Sequence, residues 1–259
     1  MTIHALAFDL DGTLCDTLPD LAAAANATRV ASGLAPLPVP RIESYVGDGI
    51  PRLVHRLLLD AREGDAPAAQ HAAAYQYFTD YYRDHLCVAS RLYDGVAATL
   101  AALRARKLPL AVITNKNEAL ARRLLADLHI AEHFALIYGG DALPEKKPAP
   151  LPLLTAAEAL GVAPAHMLMV GDSANDILAG KAAGCPVAAV TFGRHSPPAR
   201  QPSNPRRLPH RPVRATACMH LKQQNRVTIP LGSISLQTGN TRTEGLARCN
   251  DNGGLARRT

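Results

Sequence analysis

Ile3-His4-Ala5-Leu6-Ala7-Phe8-Asp9-Leu10-Asp11-Gly12-Thr13-Leu14 decides how this chain folds. Residues 3–8 form a short apolar run that ends on Asp9, the pattern of a strand buried on both faces. Asp9 and Asp11 stand two residues apart, so both carboxylates reach one site only if the chain turns there. Gly12 permits that turn. One carboxylate can then attack an electrophile while the other moves protons. An acidic turn after a strand is also common without any chemistry, so the reading depends on the rest of the chain.

The same form recurs downstream. Residues 108–113 run into Thr114-Asn115, residues 167–170 into Gly171-Asp172, residues 187–192 into Gly193, and a weaker strand, 136–138, ends at Gly139. Helical patterns at 94–107, 117–128, 149–160 and 174–183 lie between them. This alternation predicts an α/β fold, a parallel sheet with helices on both faces. Ligands in such sheets sit beyond the carboxyl ends of the strands, which gathers Asp9, Thr114 and Asp172 at one edge. Residues 15–88 break the pattern. Helices are expected at 18–31, 41–46, 51–59 and 66–85, with Pro36, Pro38 and Pro40 in a loop. The segment reads as an all-helical insertion the size of a small cap, and the aromatic residues from Tyr75 to Tyr82 read as its packing. The expected organisation is a core of residues 1–14 and 89–193, a cap of residues 15–88 and a tail of residues 194–259.

Composition narrows the function classes. The 259 residues are 47% hydrophobic with no Trp, enough for a core built mainly of Ala, Leu and Val. No apolar run is long enough to span a membrane, and Asp9 and Asp11 interrupt any signal peptide. Five widely spaced cysteines without a C-x-x-C pair suit a reducing cytoplasm. The net charge of +6 suggests nucleic acid, but residues 193–259 carry 12 Lys and Arg against 2 Asp and Glu, while residues 1–192 carry 16 against 20. All of the basic excess sits in the Arg- and Pro-rich tail, which has no apolar periodicity beyond a strand hint at 227–236. The tail is expected to be disordered. The preferred explanation is an out-of-frame translation beginning near residues 193–200, to be decided by translating the neighbouring frame. A basic arm for anionic partners ranks below it, because interleaved aromatics are lacking.

Three further signals carry chemistry. Gly171-Asp172-Ser173-Ala174-Asn175-Asp176 follows a strand, and Asp172 with Asp9 would give a hard divalent cation two carboxylates, while Ser173 or Asp172 also suits a helix N-cap. Thr114-Asn115 offers a hydroxyl and amides at a strand end, where an anion can be cradled. Lys147, before Pro148, is a point charge that can reach phosphate oxygens. Each alone is weak.

Taken in order, D-x-D-G-T at Asp9–Thr13, a strand-end Thr114, Lys147 and G-D-x-x-x-D at Gly171, Asp172 and Asp176 resemble the haloacid dehalogenase superfamily of phosphohydrolases, over about residues 1–192. The resemblance implies a Rossmann-like core with an inserted helical cap, Mg2+ as cofactor and a small phosphorylated metabolite as substrate. It makes Asp9 the nucleophile and a metal ligand. Asp11 becomes the acid–base that also offers its carbonyl to the metal. Thr114, Asn115, Gly12 and Thr13 are assigned to the phosphoryl group, Lys147 to charge neutralisation, Asp172 to the metal and Asp176 to support of the metal loop. Within the superfamily, Thr114-Asn115-Lys116, Lys147-Pro148-Ala149-Pro150 and Val46-Gly47-Asp48-Gly49 resemble the bacterial phosphoglycolate phosphatases. That likeness implies hydrolysis of 2-phosphoglycolate to glycolate and phosphate, by a cytoplasmic monomer or homodimer, with Gly47, Asp48 and Gly49 in a cap loop reaching the substrate. Asp48 departs from that family, which often has Asn there, and a free acid would repel a carboxylate-bearing substrate. A phosphosugar mutase of the β-phosphoglucomutase type, which shares the nucleophile and cap position, or another small-metabolite phosphatase is the alternative. A catalytically dead binding protein ranks last.

Overall fold

The computed structural model describes residues 2–191 and the backbone of three short strands further on. Strand β1 (Ala5–Phe8) leads through a tight turn to β2 (Cys15–Asp16), and four helices follow: α1 (Leu18–Ala31), α2 (Val39–Glu43), α3 (Ile50–Leu59) and α4 (Ala68–Asp84). The chain then alternates through β3 (Arg91–Leu92), α5 (Val96–Ala105), β4 (Leu110–Ile113), α6 (Glu118–Asp127), β5 (Leu136–Tyr138), α7 (Leu151–Ala159), β6 (Met167–Gly171), α8 (Ala174–Ala182) and β7 (Val187–Val190). The strands β8 (Ala217–Met219), β9 (Val227–Ile229) and β10 (Ile234–Gln237) complete the described residues. The main sheet has the order β10-β7-β6-β1-β4-β5, in which β10 pairs antiparallel with β7 and the other pairs are parallel. The expected disorder of the tail, and its reading frame, fall mostly outside the described residues.

Period-two alternation divides the core between the faces of the sheet. Leu6 and Phe8, Leu110 and Val112, and Leu168 and Val170 belong to one buried cluster, while Ala5 and Ala7, Ala111 and Ile113, and Met167 and Met169 belong to the other. Helices α5 and α6 supply Val96, Leu100, Leu120 and Leu124 to the first cluster. Leu153, Ala156 and Ala157 of α7 and Ala179 of α8 complete the second. Both faces are therefore dry, as a parallel sheet requires. From β1 the chain steps to β4 and β5 on one side, then crosses to β6 and β7 on the other. Neighbouring β1 and β6 thus mark a topological switch point, where a crevice opens beyond the strand ends.

Most element boundaries shift by one to three residues from expectation. Helix α2 begins at Val39 rather than 41 and takes Pro40 into its first turn, where a missing N–H costs no intrahelical bond. Gly171, expected in a loop, is the last residue of β6. Among the described residues no helix is long and apolar enough to cross a membrane.

Helices α1–α4 fill the interval between β2 and β3, with α1 packed on α2, α3 and α4 and with α3 on α4, an arrangement consistent with an inserted cap. The two crossings are tied together. Cys15–Asp16 pairs antiparallel with Arg91–Leu92, and the Tyr93 amide donates to the Leu14 carbonyl at 3.1 Å. Buried Asp20, in the first turn of α1, accepts from the Ala89 amide at 2.9 Å, the Ser90 amide at 2.8 Å and the Ser90 hydroxyl at 2.6 Å. Asp20→Ala strands these donors in a dry site. It should destabilise the protein by about 2–3 kcal/mol, against about 1 kcal/mol for Ser90→Ala; equal denaturation midpoints for Asp20→Ala and wild type would refute the latch.

Candidate active site

The carboxyl ends of β1, β4 and β6 converge on one pocket, lined in part by Asp9, Asp11, Thr114, Asn115, Lys116, Lys147 and Asp172. Asp9 follows β1 directly, and its amide donates to the Val170 carbonyl at 2.9 Å, fixing it to the end of β6. The chain then curls tightly, because the amides of Thr13, Leu14 and Cys15 all bond to the Leu10 carbonyl. Gly12 has φ +89°, and a Cβ there would fall 2.5 Å from Asp172 Oδ2. The glycine is therefore required by the backbone conformation and by the close approach of a second carboxylate. Thr13, expected at the phosphoryl group, donates its hydroxyl to Asp172 Oδ1 at 2.9 Å, so its side chain orients that acid.

One oxygen from each of Asp9, Asp172 and Asp176 lies within 4.8 Å of the other two. All three residues are buried. Asp176 is committed within the protein. One oxygen accepts from Lys147 at 2.6 Å, and the other accepts the Ser173 amide at 2.9 Å and hydroxyl at 2.7 Å, closing a capping box at the start of α8. A Cβ at Gly171 would fall 2.3 Å from Asp176 Cγ, so this site also needs its glycine. Asp9 and Asp172 are thus the acids turned to the pocket, and such hard oxygen donors fit a divalent cation of the Mg2+ type.

Lys147 is buried and donates to Asp9 Oδ1 at 2.8 Å as well as to Asp176. Burial opposes its charge, but Asp176 and Asp9 more than offset this and hold the ammonium protonated. For Asp9 burial dominates: together with the charges of Asp176 and Asp172 it outweighs Lys147 and lifts the carboxyl to about 7. A cation between Asp9 and Asp172 would act in the opposite direction.

Asp11 stands one turn further out. Its carboxylate accepts from the Thr17 hydroxyl at 2.6 Å and from Lys116 Nζ at 3.2 Å. Lys116 is buried and also donates to the Tyr82 hydroxyl at 2.7 Å, with its charge 4.7 Å from the centre of that ring. Burial disfavours this ammonium too, yet Asp11 and Tyr82 keep it charged. Thr114 is buried in the pocket wall and accepts the Lys116 amide on its hydroxyl at 3.2 Å. Asn115 turns its side-chain amide away from the strand end, to the carbonyls of Gly47 at 3.1 Å and Lys147 at 2.8 Å.

The loop before α3 reaches the site, since Gly47 and Gly49 line the pocket. Asp48 itself does not line it. Its carboxylate pairs with Arg56 at 2.7 Å and accepts from Asn175 at 3.1 Å. Burial would raise its pKa, but those bonds and the charges of Arg56 and Lys146 prevail and lower it. The expected repulsion of an anionic substrate is therefore neutralised by Arg56. Sequence reasoning passed over Lys116, Tyr82, Asn175 and Arg56 as site residues. The one available signal was Lys116 standing two residues beyond Thr114. Tyr82, expected to serve packing alone, carries a polar contact from α4 into the site.

Comparison with known proteins agrees with this geometry. Residues 3–184 match the family model of the haloacid dehalogenase-like hydrolases. The phosphoglycolate phosphatase of Neisseria meningitidis is 56% identical over 191 residues, spanning 74% of this chain and 81% of that protein. That of Chromobacterium violaceum is 52% identical over 191 residues, spanning 74% and 86%. A crystal structure described as a predicted phosphoglycolate phosphatase from Haemophilus somnus superposes with a TM-score of 0.71 at 36% identity, covering 74% of this chain and 87% of that one. With a family model over most of its length and relatives at this identity, the chain belongs to the haloacid dehalogenase-like hydrolases, among which it resembles the phosphoglycolate phosphatases.

Proposed function

We propose that this chain is a magnesium-dependent phosphatase acting on a small phosphomonoester, 2-phosphoglycolate first among them, through an aspartyl-phosphate on Asp9. The chain is a phosphoric monoester hydrolase, as its relatives are. The observation that carries the mechanism is Asp9 at the base of the pocket, 2.8 Å from a buried lysine and grouped with Asp172. Mg2+ held by Asp9, Asp172 and the Asp11 carbonyl would supply positive charge for the phosphoryl oxygens and for the Asp9 carboxylate.

The chain's own groups divide the work. An Asp9 oxygen attacks phosphorus, and the ester oxygen leaves with a proton from Asp11. Asp11, now a carboxylate, takes a proton from water, whose oxygen attacks the same phosphorus and returns Asp9 and free phosphate. Lys147 lies where it can counter charge on Asp9 and on the phosphoryl oxygens, and Thr114 offers a hydroxyl to those oxygens. Thr13 and Asp176 hold Asp172 and Lys147 in position. The helices α1–α4 serve as a cap whose glycine loop closes over a small leaving group.

The substrate is read from the names of the relatives and from the modest pocket. The test is phosphate release from a panel of phosphorylated metabolites, measured with Mg2+ and with excess chelator on the full chain. Release should be highest with 2-phosphoglycolate and fall to background with chelator. Metal-independent release would remove the mechanism, and stronger release from a sugar phosphate would remove the substrate.

A further inference from the structure

The pocket is electrostatically lopsided beyond its phosphoryl end. What α1, α3 and the intervening loop contribute is Leu21, Val46, Ile50 and Leu53, with the two glycines flanking Asp48. Among the described residues lining the pocket the basic ones are Lys116 and Lys147. Lys147 is engaged by Asp9 and Asp176. Arg56, the nearby guanidinium, is tied to Asp48 and to the Tyr45 carbonyl and does not line the pocket. That leaves Lys116 as the charge beside the leaving-group space. Its contact with Tyr82 fixes it against the helical wall, and its contact with Asp11 places it next to the group that protonates the leaving oxygen. Of its three N–H donors, one goes to Tyr82 at 2.7 Å and the others to the two Asp11 oxygens at 3.2 and 3.5 Å, and the last of these contacts is long enough to yield to a closer anionic acceptor.

We propose that Lys116 binds the carboxylate of the substrate, so that the enzyme selects phosphate esters of short hydroxy acids over uncharged esters of the same size. This rests on the phosphatase reading above and extends it to a residue that determines specificity. In 2-phosphoglycolate one methylene separates the ester oxygen from the carboxyl carbon. An ester oxygen at Asp11 therefore brings the carboxylate to the neighbouring Lys116. Beyond the phosphoryl end, the remaining described lining is the four apolar side chains, the two glycines, the Tyr82 phenol and the uncharged Asn115, Ser173 and Asn175, while Lys146, beside Gly49, donates to the Asp48 carbonyl at 2.6 Å and does not line the pocket. A hydrogen bond between two charged groups in such a place is strong. A neutral leaving group offers the ammonium no acceptor better than the long Asp11 contact at 3.5 Å.

Ethyl phosphate is the natural probe, because it replaces the carboxylate of 2-phosphoglycolate by a methyl group. Wild type should show the higher kcat/KM on 2-phosphoglycolate. Lys116→Gln should reduce the ratio of the two kcat/KM values by about 30-fold, the loss expected when a charge-assisted bond is removed. Equal losses on both esters would mean that Lys116 merely steadies Asp11, and would overturn the assignment while leaving the phosphatase reading intact. A wild type that hydrolyses phosphate esters but does not prefer 2-phosphoglycolate would overturn both the assignment and the proposed substrate. If Lys116→Gln does not fold, Lys116→Arg keeps the charge but spreads it over a planar group. There the ratio should fall about tenfold by the same reasoning, and an unchanged ratio would overturn the proposal.

Discussion

Asp9→Asn should abolish turnover, by at least about 10^4-fold in kcat, with the protein still folded. The change is isosteric, replaces one carboxylate oxygen by an amide nitrogen and removes the negative charge that attack on phosphorus needs. Lys147 keeps its bond to Asp176 at 2.6 Å, and the Asp9 amide keeps its bond to Val170, so the strand end is not disturbed. Stability supplies an independent readout in the metal-free protein. Burial lifts the folded-state pKa of Asp9 from 3.8 to about 7. A folded state that binds the proton more tightly is favoured at low pH. Its advantage is complete below the unfolded value and is lost as pH rises through about 7. Wild type in chelator should therefore lose stability relative to Asp9→Asn between about pH 4 and pH 7, and Mg2+ should restore wild type far more than the variant. Urea midpoints across that range decide the matter. A folded Asp9→Asn that still hydrolyses phosphate with Mg2+ would remove Asp9 as nucleophile. Parallel pH curves would show that the carboxyl is not strained by burial.

The residues readable in advance share one property: each lies at a place the topology fixes. Asp9, Thr114 and Asp172 follow strands whose apolar runs are unmistakable, so the parallel-sheet rule alone gathers them at one edge. Strands β1 and β5 fall within or at the expected limits for the same reason, and α1 begins and ends where expected. Lys147 stands in the sequence only as a lone Lys-Pro signal that the resemblance gives a role, since nothing in its neighbourhood announces a partner at residue 9. Lys116, Tyr82, Asn175 and Arg56 were less accessible because their roles depend on how α3 and α4 lie over the sheet edge. Tyr82 looks like one of several aromatics on α4, and only the docking of that helix brings its hydroxyl to Lys116. Asp48 shows the same limit in reverse. Its charge is plain in the sequence, but the Arg56 that cancels it lies eight residues on, and the pairing is settled by the turn before α3. Thr13 was assigned to the phosphoryl group by motif, whereas the tight turn about the Leu10 carbonyl aims its hydroxyl at Asp172.

Lys147→Met should be both inactive and unstable, and a second substitution separates the two effects. The lysine lies between Asp9 and fully buried Asp176, at 2.8 and 2.6 Å. Met preserves much of the side-chain volume but withdraws the cation, leaving Asp9, Asp172 and Asp176 clustered with oxygens within 4.8 Å of one another. Breaking a buried pair from one side typically costs about 3–5 kcal/mol. Asp176→Asn in the same chain removes the stranded charge while its side-chain oxygen can still cap α8 through the Ser173 amide and hydroxyl. The double variant should recover most of that loss in urea denaturation with chelator present. Its activity should not return, because neither substitution restores positive charge beside Asp9 and the phosphoryl oxygens, where stabilisation by fixed charge is strongest. Recovery of turnover along with stability would mean that Lys147 is only a counterion for Asp176. If Lys147→Met were as stable as wild type, the ammonium would not be the group that offsets the clustered acids. A stable, metal-binding and inactive double variant is the result that assigns the lysine to the reaction.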